Sequence, residues 1–401
     1  MHGPTSLFLF VILAIFLIVS WLCGLLLKAL VLPADRPGFA KIYWGLSLLA
    51  LVLIFGGRMV EPAPAYTNFW FYGIVSGGYA WFFAQLFSLL IMLPLWVLAR
   101  GRRWLAARRS QQTDHSRRKF LRQAAVCLPV LPLGASAVGV FRGSSEIVIS
   151  RYRLPLPDMP DNLAGFRILQ LSDLHIGPFF GLDRLDEAIS IVKKEQPDLV
   201  VITGDLIDDL NLLDAAAERL TQLSSFIPQG IHFCWGNHEY FRNFDLIKKR
   251  LAATPLTVLR NTGITVLSGQ RTVYLAGVDY PWAGNAPEQQ AVRRRYMDEA
   301  LKNMPSGAYP LLIAHHPDFI IDAFERKLPL TLTGHTHGGQ IGFLGQPVLP
   351  LSYRYMRGIY RADGCFGYVH TGTGQWLPFR LGCPAEIAIF ELAQTLNGEK
   401  A

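Results

Sequence analysis

Arg167-Ile168-Leu169-Gln170-Leu171-Ser172-Asp173-Leu174-His175 is the stretch on which the reading of this chain turns. Its first part is a short, largely apolar run that reads as a buried strand, and its last part sets an Asp and a His one residue apart. The same change of character recurs four times. Leu199–Thr203 leads into Gly204-Asp205-Leu206-Ile207-Asp208, and Ile231–Trp235 into Gly236-Asn237-His238-Glu239. Leu311–Ala314 leads into His315-His316-Pro317, and Leu328–Thr333 into Gly334-His335-Thr336-His337-Gly338-Gly339. Between the first two strands, Asp183–Gln196 spaces Leu185, Ala188, Ile189 and Val192 as one helix face, with Asp183 expected as N-cap and Pro197 as the stop. Val273–Val278 adds another strand. Such alternation predicts layered α/β packing. Ligands in these sheets bind beyond the carboxyl ends of the strands, so the five polar clusters are expected to meet at one site.

The donor chemistry narrows what that site holds. Asp173, His175, Asp205, Asn237, His315, His335 and His337 are the candidate ligands. Mixed oxygen and imidazole donors suit Mn, Fe or Zn. Seven are too many for one tetrahedral ion. Two divalent ions about 3.5–4 Å apart, sharing a carboxylate, would use them all. His335 and His337 flank one residue, which puts both rings on the same side of an extended segment. Taken singly these pieces are weak: a lone Asp-x-His is commonly a loop ion pair, and His232 and His370 read as hydrogen-bonded core residues. The ordered set of five, each after a strand, carries the reading. No serine or cysteine stands out as a nucleophile.

Composition divides the chain in two. The 401 residues are 51% apolar and 17% charged, below the usual quarter, with a mean hydropathy of +0.26. Residues 1–99 are almost uncharged and form a membrane region of about three spans: Leu7–Leu27, Ile42–Gly57, and one within Phe69–Ala99, at its Tyr79–Ala99 end. Residues 100–123 read as a basic cytoplasmic loop. Arg100, Arg102, Arg103, Arg108, Arg109, Arg117, Arg118, Lys119 and Arg122 against Asp114 account for the whole net charge of +8. The excess is therefore juxtamembrane and gives no nucleic-acid groove. The uncharged run 124–141 is expected to be a fourth span, despite Pro129, Pro132 and Gly134, and 151–395 the catalytic domain. Cys23, Cys127, Cys234, Cys365 and Cys383 make no CxxC pair and read as free thiols. A Cys365–Cys383 bridge is the alternative in an oxidising compartment.

Asp173-x-His175, Gly204-Asp205, Gly236-Asn237-His238-Glu239, His315 and Gly334-His335-x-His337 together resemble the calcineurin-like metallophosphoesterase superfamily, over roughly Gly165–Leu392. Ser172–His175, His315–Asp318 and Gly334–Gln340 resemble in detail the bacterial branch of membrane-linked or exported phosphodiesterases, which includes proteins with a twin-arginine leader, and Ser116–Leu121, with its paired arginines, resembles such an export signal. The resemblance implies an α/β (α+β) four-layer sandwich of two mixed β-sheets flanked by helices, here preceded by the multi-span helical region. It implies one metal held by Asp173, His175, Asp205 and His337, and a second by Asp205, Asn237, His315 and His335, with Asp205 bridging. It gives His238 the phosphate and the leaving oxygen. His316 varies in the family, Asp208 and Glu239 would orient ligands, and Arg380 matches a family position without a role. The expected catalytic residues are His238, Asn237 and Asp205.

The expected reaction is hydrolysis of a phosphodiester, phosphomonoester or pyrophosphate by a metal-bridging hydroxide, on an envelope or lipid-linked substrate. The region of Trp282 and Arg293-Arg294-Arg295 reads as a pocket wall or a solvated helix face. Four spans with basic loops inside place the catalytic domain on the periplasmic or extracellular side of the inner membrane. The expected partners are the bilayer and a phosphate ester, with no nucleic acid and no obligate protein partner. One alternative is a UDP-diacylglucosamine-type pyrophosphatase of lipid A synthesis facing the cytoplasm; another is a non-catalytic metal-binding sensor or scaffold. Spans nearly free of ionisable residues argue against an ion path.

Overall fold

A computed structural model describes residues 3–30, 37–59, 69–109, 130–143, 145–267, 272–343, 346–348 and 353–394. The chain falls into two units that meet in sequence at Arg142 and Gly143. The first holds α1 (Gly3–Leu30), α2 (Pro37–Met59), α3 (Phe69–Arg109) and α4 (Val130–Ala137), the last continued by a π-helical turn over Val138–Arg142. Three of these are long and apolar enough to cross a bilayer, through Phe10–Leu30, Gly38–Gly57 and Gly73–Arg102. Ile42, Leu48, Val52, Leu90 and Leu98 stay exposed on their outer faces, which suits lipid contact. The third helix does not end at Ala99. Arg, Leu, Trp and Ala at 100–109 are adequate helix formers, and the segment expected as a loop continues α3 to Arg109. Among the described residues, the apolar part of the fourth segment covers Val130–Phe141. Residues 124–129, the twin-arginine-like Ser116–Leu121 and Cys127 lie outside the described residues.

Three helices close on a buried polar knot. Ser20 Oγ donates to Gln85 Oε1 at 2.8 Å, and Gln85 Nε2 donates to Tyr43 Oη at 3.0 Å and Ser47 Oγ at 2.8 Å. The Tyr43 hydroxyl donates to the Ser20 carbonyl at 2.6 Å, and Trp81 Nε1 to Ser47 Oγ at 3.1 Å. Small residues let the backbones approach: a Cβ on Gly78 of α3 would sit 2.9 Å from the Ala50 carbonyl oxygen of α2.

The second unit stacks helix, sheet, sheet, helix. One six-stranded mixed sheet has the order β1-β14-β2-β3-β4-β5, comprising Ile147–Leu156, Ala385–Gln394, Arg167–Leu171, Leu199–Thr203, Ile231–Cys234 and Thr257–Leu259. The other has the order β12-β13-β9-β8-β7-β6, comprising Gly358–Ala362, Cys365–Val369, Leu330–Thr333, Tyr309–Ile313, Val273–Gly277 and Thr262–Leu267. Leu154, Ile168, Val201 and Phe390 from the first pack against Leu275, Leu311, Leu332 and Phe366 from the second. The outer face of the first sheet is covered by α5 (Leu182–Glu195), α6 (Leu213–Ser224) and α8 (Phe244–Ala252). That of the second is covered by α9 (Ala286–Leu301) and α10 (Phe319–Glu325). Covered on both faces, β3, β4, β7 and β13 are buried throughout, as continuous apolar runs require. Helix α5 starts one residue earlier than its sequence suggests: Gly181, in extended conformation, is the N-cap, and Asp183 lies within the first turn. Strand β1 straddles Arg151 and pairs in parallel with β14 over its whole length.

Candidate metal centre

The ends of β2, β3, β4, β8 and β9 deliver the polar clusters to one place. His175 Nε2 lies 3.1 Å from His337 Nε2, and His337 Nε2 lies 3.4 Å from Asp173 Oδ1. Nearby, His315 Nε2 lies 3.1 Å from both Asn237 Oδ1 and His335 Nδ1. Asp205 Oδ2 stands between the groups, 3.2 Å from His315 Nε2 and 3.6 Å from His175 Nε2. Donor atoms held about 2.0–2.2 Å from one ion lie about 3.0–3.6 Å from each other, so this spacing fits shared cations. All seven expected ligands belong to the convergence. His238 also has a ring nitrogen within reach of His175 and Asp205, so geometry alone admits it as a donor.

The electrostatics point the same way. Burial resists charge on Asp205, yet His315 and His238 hold its pKa well below the usual carboxylate range. Burial also opposes protonation of His315, but Asp205 and Asp173 raise it to about 10. Burial pushes His335 down to about 3 and His337 down as well, with neighbouring imidazoles adding to the effect. Neutral His335 and His337 beside an ionised, buried Asp205, with His315 holding a proton that a metal would displace, form a donor set that a divalent cation would neutralise.

Outer partners aim each ring. His315 Nδ1 donates to the Thr203 carbonyl at 2.7 Å, which turns its Nε2 lone pair to the centre. His335 Nε2 meets the Tyr353 hydroxyl at 2.7 Å, leaving Nδ1 inward. Asp208 takes His175 Nδ1 at 3.2 Å and His238 Nδ1 at 2.8 Å, and Arg242 Nη2 donates to it at 3.0 Å. Glu239 is fully buried. Its carboxylate accepts from the backbone amides of Leu206 at 2.6 Å, Gly236 at 2.8 Å and Asp205 at 3.2 Å, tying two strand ends together. Burial, then Asp205, raises Glu239 to about 6. Gly236 has no room for a side chain, since a Cβ would lie 2.1 Å from Asp205 Oδ1. The backbone itself is bent around the centre: Asp173, His175, Asp205, His335 and His337 all have positive φ, from 46° to 77°.

The flanking residues find partners of their own around the centre. His316 is buried beside the centre but accepts from the Asp318 amide at 3.2 Å. Arg293 is buried in an ion pair with Asp322 at 2.6 Å, locking α9 to α10, while Arg294 and Arg295 pair with surface acids. None of the three lines the site; Trp282 does, through Phe241 and Tyr280. His232 is bonded to the Gln229 carbonyl at 2.8 Å, and His370 accepts from the Gly372 amide at 2.9 Å. Cys365 and Cys383 are free thiols, the latter donating to the Gly338 carbonyl at 3.2 Å. Sequence reasoning left Arg380 without a role, and it is fully buried. It donates to the carbonyls of Thr371 and Gly374 and reaches His337 Nδ1 at 3.3 Å. A lone cation inside the apolar run Leu377-Pro378-Phe379-Arg380-Leu381 was the available signal. Tyr353 had none.

A helix–sheet–sheet–helix sandwich with Asp, Asn and His at its strand ends is the architecture of the calcineurin-like phosphoesterases. Residues 166–339 match the family model of that description, and residues 5–144 match one described as "Probable Calcineurin-like phosphoesterase, transmembrane domain". The chain is 31% identical to the phosphodiesterase YaeI of Escherichia coli (strain K12), covering 69% of this chain and 99% of that one. The chain belongs to the calcineurin-like phosphoesterase family. Two vertebrate relatives are each named "Transmembrane protein with metallophosphoesterase domain". The Bos taurus protein is 30% identical over 71% of this chain, and the Danio rerio protein 31% identical over 60%. This chain spans 65% and 56% of their respective lengths.

Proposed function

We propose that the protein is a two-metal phosphodiesterase embedded in a membrane by the helices preceding its catalytic domain. The observation that carries this is the seven donor side chains from five strand ends, with neighbouring donor atoms 3.1–3.6 Å apart around Asp205 Oδ2. Asp173, His175, Asp205 and His337 would hold one divalent ion, and Asp205, Asn237, His315 and His335 the other, with Mn, Fe or Zn fitting the donors. Bound there, such ions supply Lewis acidity to the phosphoryl group. The chain's own groups do the rest. Asn237 steadies a phosphoryl oxygen. His238 has Nδ1 engaged by Asp208 at 2.8 Å, which leaves Nε2 to carry a proton to the leaving oxygen. Burial opposes that proton, but Asp205 and Asp208 outweigh it and raise the His238 pKa. Bis-p-nitrophenyl phosphate should be hydrolysed with added Mn, lose turnover on chelation, and turn over far more slowly with His238→Ala. Chelator-resistant turnover would sink the metal reading.

The membrane region favours an envelope or lipid-linked ester, with the catalytic domain outside the cytoplasm if residues 124–141 span. Support for a fourth span comes from the transmembrane family match, labelled 4TM and running to residue 144. Pro129, Pro132 and Gly134 weaken that segment as a span and favour the other topology, in which a cytoplasmic site would suit a nucleoside-diphosphate lipid. A reporter fused at the C-terminus separates the two by the side on which it becomes active.

A further inference from the structure

Phe241, Trp282 and Trp376 are 58%, 44% and 37% exposed. Large aromatic side chains are ordinarily well buried, and clustered exposed ones mark ligand sites. Phe241 and Trp376 stand beside His238, and Trp282 stands beside Phe241. The His238 ring centroid is 5.5 Å from that of Phe241 and 6.3 Å from that of Trp376. Trp282 lies 5.6 Å from Phe241 and 4.6 Å from Tyr280, whose ring is 5.4 Å from His335. The rings thus run as a continuous rim from one side of His238 past the second ligand cluster. Charged neighbours are engaged elsewhere: Arg242 with Asp208 at 3.0 Å, and Arg260 with Asp279 at 2.7 Å. The Tyr240 hydroxyl also goes to Asp279, at 2.6 Å. The rim offers a ligand ring faces, while these neighbouring cations are tied down.

We propose that Phe241, Trp282 and Trp376 form the subsite for the ester substituent on the leaving oxygen, and that this substituent is neutral and either flat or apolar. The proposal rests on the phosphoesterase reading. Water's oxygen bonds to phosphorus, the ester P–O bond breaks, and the leaving oxygen takes a proton from His238, while the proton lost by water passes to solvent. The rings beside His238 therefore meet whatever that oxygen carries. A planar ring and a hydrocarbon chain present the same apolar chemistry to the rim.

The test is equilibrium titration of the full-length, Mn-loaded protein with methylphosphonate, benzylphosphonate and hexylphosphonate. Benzylphosphonate or hexylphosphonate should bind at least about tenfold tighter than methylphosphonate, the scale of one good ring contact. Trp282→Ala and Phe241→Ala should each shrink that ratio to about threefold or less, with the methylphosphonate affinity unchanged, and Trp282→Phe should restore it. Phe226→Ala removes another exposed ring, ahead of the opposite end of β4, and should leave the ratio alone. A gain for the benzyl compound only assigns a planar group; an equal gain for hexyl assigns a hydrocarbon chain. Equal affinity for all three, or a ratio that survives both alanine substitutions, overturns the subsite. Failure of the underlying phosphoesterase reading shows separately, as no turnover of bis-p-nitrophenyl phosphate, because the affinities do not depend on turnover.

Discussion

The two units bury polar groups in opposite ways. In the membrane unit Ser20, Tyr43, Ser47, Trp81 and Gln85 satisfy one another with neutral hydrogen bonds. In the catalytic unit, imidazole nitrogens and carboxylate oxygens from separate strand ends crowd together across 3.1–3.6 Å. The knot is complete without a ligand, and interhelical bonds of this kind stabilise by about 0.6 kcal/mol each. The metal centre runs the other way. Five of its residues sit at positive φ, a conformation costing on the order of 1–3 kcal/mol each when held without compensation. Equal burial of polar atoms therefore means helix adhesion in one unit and a poised ligand set in the other.

That contrast can be broken by substitution. Asp205→Asn should have the largest effect: a fall in turnover on the order of 10³-fold or more, with loss of bound metal by elemental analysis. The metal-free variant should melt no lower than the metal-free parent; a clear drop in its melting temperature would make the site a structural core like the knot. His238→Gln should cost about 10²-fold in turnover, toward the low end for a general acid, with metal content retained. Metal loss in that variant would make His238 a ligand instead. Glu239→Gln weakens the acceptor of three backbone amides and should lower turnover about 10–100-fold and depress the melting temperature as well. The smallest effect belongs to the knot. Gln85→Leu should destabilise the protein in detergent by about 1 kcal/mol and leave turnover of a soluble substrate within error. A loss of turnover there would mean the two units are coupled.

How far the sequence spoke follows the same contrast. Strands β2, β3, β4, β8 and β9 were legible because each apolar run ends abruptly in Asp, Asn or His. Helix α5 was legible from the spacing of Leu185, Ala188, Ile189 and Val192. The pairing of β1 with β14 was not, because it joins Ile147 to Ala385 across most of the domain and no local signal specifies such a partner. The seven ligand types were legible, but the left-handed backbone of five of them was not: Asp and His tolerate that region better than most residues, yet neither type requires it. Glu239 was expected to orient ligands, but the three backbone amides it accepts from come together only in space and leave no local signal. The rim ring Phe241 sits just past Gly236–Glu239, where the polar residues carry the pattern, and Trp376 sits just before Leu377–Leu381, where nothing local marks a rim.

Strand β14 lies between β1 and β2, so the first sheet cannot be assembled in the order in which it is synthesised. Until the ribosome has passed residue 394, the strand leading to Asp173 lacks its neighbour on that side, and β1 has nothing to pair with. The keystone arrives last. The nascent domain must wait with an open edge, and a stop codon before Ala385 would remove a central plank rather than trim an end.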